Sequence, residues 1–207
     1  MGGRGASSSG GATGGIDLIN ATTTSLISAR EGKRTEVDDT LRVLRDIQDM
    51  YGVDVEDVQL ATIKGKGARV MAYYDSAGNL AVNQAYFNSE RMQRAYDGCV
   101  DNGFHPSRGD KTAMEAVVAH EMGHRLNDVA AGGWGNLDAT ADKIVAAAAK
   151  RLGYRGKKGL ASQISGYAQK SNAEAVAEAF ADVYCNGGKA SRESRAIVAE
   201  LNKYFGK

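Results

Sequence analysis

Two of the chain's three histidines stand four residues apart, at His120 and His124, with Glu121 directly after the first. A helix turns once in about 3.6 residues, so histidines at this spacing share a face and both imidazoles can reach one metal ion. Glu121 is rotated partway round the same helix and stands beside such an ion rather than on it. The spacing commits this stretch to a helix, and the flanking residues commit the helix to the interior. Ala113, Met114, Val117, Val118 and Met122 make it largely apolar. Gly123 keeps it thin where another element, or a bound substrate, must come close.

The pattern is H-E-x-x-H, and each residue type in it has a chemical reason. Neutral imidazole suits zinc, and zinc lowers the pKa of a bound water to about 7. A carboxylate at position 121 can then take a proton from that water and pass it to a leaving amine. The expected activity is zinc-dependent peptide hydrolysis. A catalytic zinc needs three protein ligands with a fourth position open, and the motif supplies two.

Histidine does not complete the set. A third histidine in the H-x-x-G-x-x-H arrangement would require Gly at Asn127 and His at Ala130. His105, the remaining histidine, precedes Pro106 in a loop and reads as a surface or structural residue. Cys99 and Cys185 lie far apart and in no metal-ligand spacing. A carboxylate is left, and the candidates are Asp128, Asp138, Glu174, Glu178 and Asp182. Asp128 lies one turn beyond His124 on the same helix, where a solvent or capping role is expected. Glu174, Glu178 and Asp182 stack along one face of a helix otherwise built of Ala175, Val176, Ala177, Ala179, Phe180 and Ala181. Three acids on so apolar a helix call for something cationic opposite.

The run 171–180 resembles the glutamate helix of gluzincins of the anthrax lethal factor type: a Glu, three residues, a second Glu, then a small residue and Phe. The resemblance implies that Glu174 is the third zinc ligand and that Glu178 supports the site by orienting a ligating histidine. That family also has a Tyr seven residues before the ligand Glu. Tyr167 holds that offset, which implies a phenol donating to the oxyanion of the tetrahedral intermediate. The resemblance covers about residues 110–185. Glu178-x-x-x-Asp182 also fits the Glu-x-x-x-Asp pattern of thermolysin-like enzymes, in which Glu178 would be the ligand. Glu178-Ala179-Phe180-Ala181 is similar, too, to the downstream helix of regulatory peptidases of mobile elements that cleave repressors.

The rest of the chain reads as one α+β domain over residues 16–207 behind a disordered Gly/Ser-rich arm at 1–15. A first helix opens at Thr35 with a capping box to Asp38, carries Leu41, Leu44, Ile47 and Tyr51 at helical spacing, and closes at Gly52. Runs 58–63, 68–75 and 80–87 are strands of a small antiparallel sheet, with Ser76-Ala77-Gly78-Asn79 turning the last two into a hairpin. Helices follow at 89–98, at 111–127 with Asp110 as cap, from Asn136 or Asp138 to Leu152, at 172–185 and at 191–204. The expected architecture is zincin-like: a small sheet packed on the active-site helix, beside a mostly helical C-terminal lobe. A peptide substrate would lie extended along strand 68–75 or strand 80–87. Trp134, in a glycine-rich loop, is expected to pack, with the cap of a specificity pocket as the other reading.

Bulk properties exclude other partners. With 26 basic and 25 acidic residues the net charge is +1, which gives no footprint for nucleic acid. The basic run from Lys150 to Lys158 reads as a solvated helix end. No apolar stretch approaches a membrane span and the N-terminus has no signal-like apolar segment, so a cytoplasmic protein is expected. The arm also looks like those of phage-borne proteins, so association with a phage or virion is an expectation as well. The partner is a protein or peptide substrate. The rival reading is a non-catalytic, zinc-stabilised binding or phage assembly module.

Overall fold

The structure is a computed structural model, and it describes residues 22–25, 33–64, 67 and 69–207. The Gly/Ser-rich arm at 1–15 lies outside the described residues. The described chain is α+β, with seven α-helices and one small sheet. Strand β1 (Thr22–Ser25) is followed by α1 (Arg34–Tyr51), then by β2 (Val58–Thr62), β3 (Ala72–Tyr74) and β4 (Leu80–Asn83). Helices α2 (Ser89–Asp101), α3 (Ala113–Ala131), α4 (Leu137–Leu152), α5 (Lys157–Ala161), α6 (Asn172–Asn186) and α7 (Arg192–Asn202) complete it. Among the described residues no helix is long and apolar enough to cross a membrane.

The sheet corrects the expectation of an antiparallel one. Its order is β1-β2-β4-β3, and β2 and β4 run parallel, with Leu60 opposite Val82. The hairpin forms, but it folds so that β4 enters the middle and β3 becomes the outer strand. Leu80, Ala81 and Val82 are wholly buried, which suits an internal strand covered on both faces. β4 stops at Asn83 rather than running to Phe87, because the Asn83 side chain accepts the Ala85 N–H and starts a short 3-10 turn. In the β3–β4 ladder Met71 and Asp75 bond across to Asn83 and Asn79. By antiparallel alternation, the amides of Ala72 and Tyr74 turn to the outer side.

Helix starts differ from the sequence reading in two places. α1 has Lys33 at its N-cap with no side-chain cap, so the Thr35–Asp38 box does not form; Thr35 already lies inside the helix. α3 is capped by Thr112, not Asp110. Thr112 Oγ1 accepts the Glu115 N–H, and the Glu115 carboxylate accepts the Thr112 N–H. This reciprocal pair satisfies two amide donors that the first turn leaves without partners.

One large core joins the two halves. Leu44 and Ile47 of α1, Met122 and Leu126 of α3, Ile144 of α4, Val176 and Phe180 of α6, and Ile197 and Leu201 of α7 all belong to it. Its central event is the crossing of α3 over α6. A Cβ placed on Gly123 would lie 2.7 Å from Ala177 Cα and 3.2 Å from Phe180 Cβ. Main chain meets main chain there, and only glycine at 123 leaves room. That closeness carries the start of α6 to the motif face of α3.

Candidate metal centre

α3 contributes His120, Glu121 and His124, all essentially buried, and α6 contributes Glu174 from its first turn. Ser171 fixes that turn: its hydroxyl caps α6 by accepting the Glu174 N–H. Glu174 Oε2 stands 3.2 Å from His120 Nε2 and 3.2 Å from His124 Nε2. The imidazole planes cross at 81°. Glu174 Oε2 and His120 Nε2 are buried, yet neither makes a hydrogen bond of good geometry. Buried polar atoms without partners are costly, and three ligand-type atoms converging on one point is the arrangement a cation resolves. Ligand atoms at about 2.0 Å from a tetrahedral metal lie roughly 3.3 Å from one another, close to the separations here. His120, His124 and Glu174 form a buried group that could hold a metal ion.

Glu178 sits one turn further along α6 and faces away from that point. Its Oε1 lies 2.7 Å from His120 Nδ1 and 2.9 Å from His105 Nδ1, and its Oε2 accepts the Ser165 hydroxyl at 2.7 Å. A carboxylate on the far nitrogen of a ligating imidazole fixes the ring's tautomer and orientation. His105 is buried rather than a surface residue, stacked on Tyr96 with ring centroids 5.3 Å apart. Two backbone bonds place its loop: Gly166 N–H donates to Gly103 O and Tyr167 N–H to Phe104 O. The same pairing sets Tyr167 at the site, with its ring 5.7 Å from that of His120 and its phenol hydrogen-bonded to Glu174.

The other carboxylate candidates have structural partners. Asp182 accepts from Asn186 and from the Ser191 N–H, tying α6 to the start of α7. Asp138 is exposed on α4. Asp128 is neither solvent-facing nor a cap; it is buried and accepts from the Tyr74 phenol at 2.6 Å and from Arg125 at 3.2 Å. Trp134 packs on Tyr74, with centroids 5.6 Å apart.

Electrostatics separate the carboxylates. Burial pushes Glu121 up to about 8, with the Glu174 charge adding to that effect and His120 opposing it. Burial would also raise Glu174, but the two imidazoles beside it overcome that and hold it well below the usual carboxylate range. Glu178 is likewise driven upward by burial, and its contacts with His105 and His120 bring it down to about 2. Burial lowers His120, yet its contacts with Glu174 and Glu178 carry it to about 10. Tyr167 is raised, first by burial and then by the charges of Glu174, Glu121 and Glu178, so its phenol stays protonated and can donate.

One oxygen of Glu121 is held and the other is not. Oε2 accepts the backbone N–H of Tyr74 at 2.9 Å. Oε1 is buried without a partner. The sequence reading did not single out Tyr74 or Ser165, which come from a strand and a loop with no motif of their own. His105 meets His120 through Glu178, a contact that its place before Pro106 in a loop does not announce. No family model, curated protein or solved structure matches the chain.

Proposed function

We propose that the protein is a zinc-dependent endopeptidase with a zincin-like, gluzincin-type site. The supporting observation is the state of Glu121: a buried carboxylate beside three metal-ligand side chains, with one oxygen fixed and one unpartnered. A purely structural zinc site has four protein ligands and no use for such a base. His120, His124 and Glu174 would hold the ion. When bound, zinc would polarise a scissile carbonyl and acidify the attacking water.

The chain's own residues do the rest. Glu121 takes the water's proton on Oε1 and returns it to the leaving amine, a task suited to a carboxyl raised toward neutrality. Tyr167 donates its phenol hydrogen to the oxyanion. Glu178, braced by His105 and Ser165, keeps the His120 ring in place. β4 is internal, so an extended substrate peptide is proposed to approach the outer side of β3, meeting the Ala72 amide, since the Tyr74 amide is held by Glu121.

Metal analysis paired with Glu121→Gln tests the reading. Purified protein should carry one zinc, the variant should keep it, and only the wild type should cleave a peptide library. Protein without stoichiometric zinc would sink the proposal. Zinc-loaded wild type no more active than Glu121→Gln would replace it with a non-catalytic, zinc-stabilised module.

A further inference from the structure

Glu121, Arg125 and Asp128 are spaced i, i+4, i+7, which puts them on one face of α3, turned from the His120–His124 face toward β3. Tyr74 meets this face at two levels. Its backbone N–H donates to Glu121 Oε2 at 2.9 Å, and its phenol donates to Asp128 Oδ2 at 2.6 Å. Seven residues of helix separate those contacts by about 10 Å along the axis. Arg125 lies between them, its Nη1 donating to the Tyr74 hydroxyl at 3.1 Å and to Asp128 Oδ2 at 3.2 Å. Its Nε donates to Asp54 O at 2.7 Å, so the guanidinium also ties down the segment before β2. Both Tyr74 and Asp128 are buried.

β3 needs this anchoring. It has three residues and is bonded into the sheet on one side only, by β4. A short outer strand has few ladder bonds to fix its position, yet among the described residues its Tyr74 amide is the hydrogen-bond donor that orients the Glu121 carboxylate.

We propose that Tyr74, Arg125 and Asp128 form a clamp that positions Glu121, holding the β3 amide against Oε2 so that Oε1 points to the metal site. They are positioning residues and act through the strand. Their kinetic consequence rests on the reading of Glu121 as general base; the hydrogen bond itself does not.

The test uses full-length, nitrogen-15-labelled protein, with Tyr74→Phe and Asp128→Asn as variants. Tyr74→Phe keeps the ring on Trp134 and removes only the hydroxyl. In the wild type the amide of residue 74 should be shifted downfield and protected from exchange, and Glu121→Gln should move that resonance. Both clamp variants should lower protection at position 74 more than at core amides such as Ile197, while zinc content stays stoichiometric. Turnover should fall about tenfold in kcat, equivalent to about 1.4 kcal/mol, with KM unchanged. An amide at 74 that ignores Glu121→Gln would overturn the proposal. So would clamp variants that leave its protection unchanged, or that lower protection uniformly across the core. If wild-type protein cleaves no peptide, the proposed reaction fails, and the amide measurements still decide the clamp.

Discussion

Two buried glutamates lie on the two sides of α3, Glu174 from α6 and Glu121 from α3 itself, and their carboxylates are driven in opposite directions. On the α6 side Glu174 meets two imidazoles and is held anionic. On the β3 side Glu121, among the described residues, has one amide and no full cation in hydrogen-bonding contact, and burial carries it to about 8. Same residue type, same helix pair: the partners set the charge. A carboxylate held anionic is suited to bind a metal, and one pushed toward neutral pH is suited to carry a proton.

The difference can be broken most completely at Glu174. Glu174→Ala removes one of three converging ligands and should abolish stoichiometric zinc retention on dialysis, whereas Glu121→Gln should retain it. If both variants kept zinc equally, the assignment of roles to the two sides would collapse. Next in size is Tyr167→Phe, which deletes the donor beside Glu174; kcat should fall by about 10²–10³, the usual cost of one oxyanion donor, with KM little changed. Unchanged turnover would return Tyr167 to a packing role. Glu178→Gln sharpens the α6 side further. It keeps the shape but weakens the hold on His120, and zinc affinity measured by competition with a chelator should drop about 10–100-fold. A larger loss than that of Glu174→Ala would make Glu178 the ligand.

Gly123→Ala tests whether the sides depend on one helix crossing. The added methyl would meet the Ala177 main chain, which cannot step aside as a flexible side chain would. Chemical denaturation should show a loss of about 1–3 kcal/mol, typical of overpacking. Glu115→Gln, at the N-terminus of the same helix and outside both sides, gives the smallest effect. Burial favours its neutral form, but the Thr112 N–H, Arg42 and Lys111 outweigh that and lower its pKa below the ordinary 4.5. A depressed folded pKa contributes stability above the unfolded value, and that stability is lost as pH falls through the folded one. The variant should therefore be less stable at neutral pH, by on the order of 1 kcal/mol as for a weakened helix cap, and should converge with wild type in acid. A gap that widened in acid would contradict the sign.

How much of this was legible along the chain depends on the range of each interaction. The motif helix reads directly, since His120 and His124 share a face at one-turn spacing, and Gly52 and Gly153 close their helices with positive φ. The β3–β4 hairpin reads from its turn. The capping box of α3 was also written locally, in Thr112 and Glu115, although Asp110 competes for the same role. The parallel pairing of β2 with β4 left no such trace, because it joins residues some twenty positions apart through the outer hairpin. Asp128 reads as a solvent-facing helix end until β3 covers it.

By itself the sequence determined the helix that carries His120, Glu121 and His124 and named them as candidate ligands and candidate base, because that reading depends on helical periodicity within a few residues. It also narrowed the third ligand to a short set of acids, with Glu174 preferred through resemblance. Tertiary structure decided which acid meets the imidazoles, by closing α3 on α6 at Gly123 until Glu174 faces the His120–His124 pair and Glu178 its outer edge. It also gave Glu121 its tether, since Tyr74 reaches it from 47 residues away. Contacts of that separation form only when packing brings elements together, and no local pattern encodes where packing will place them.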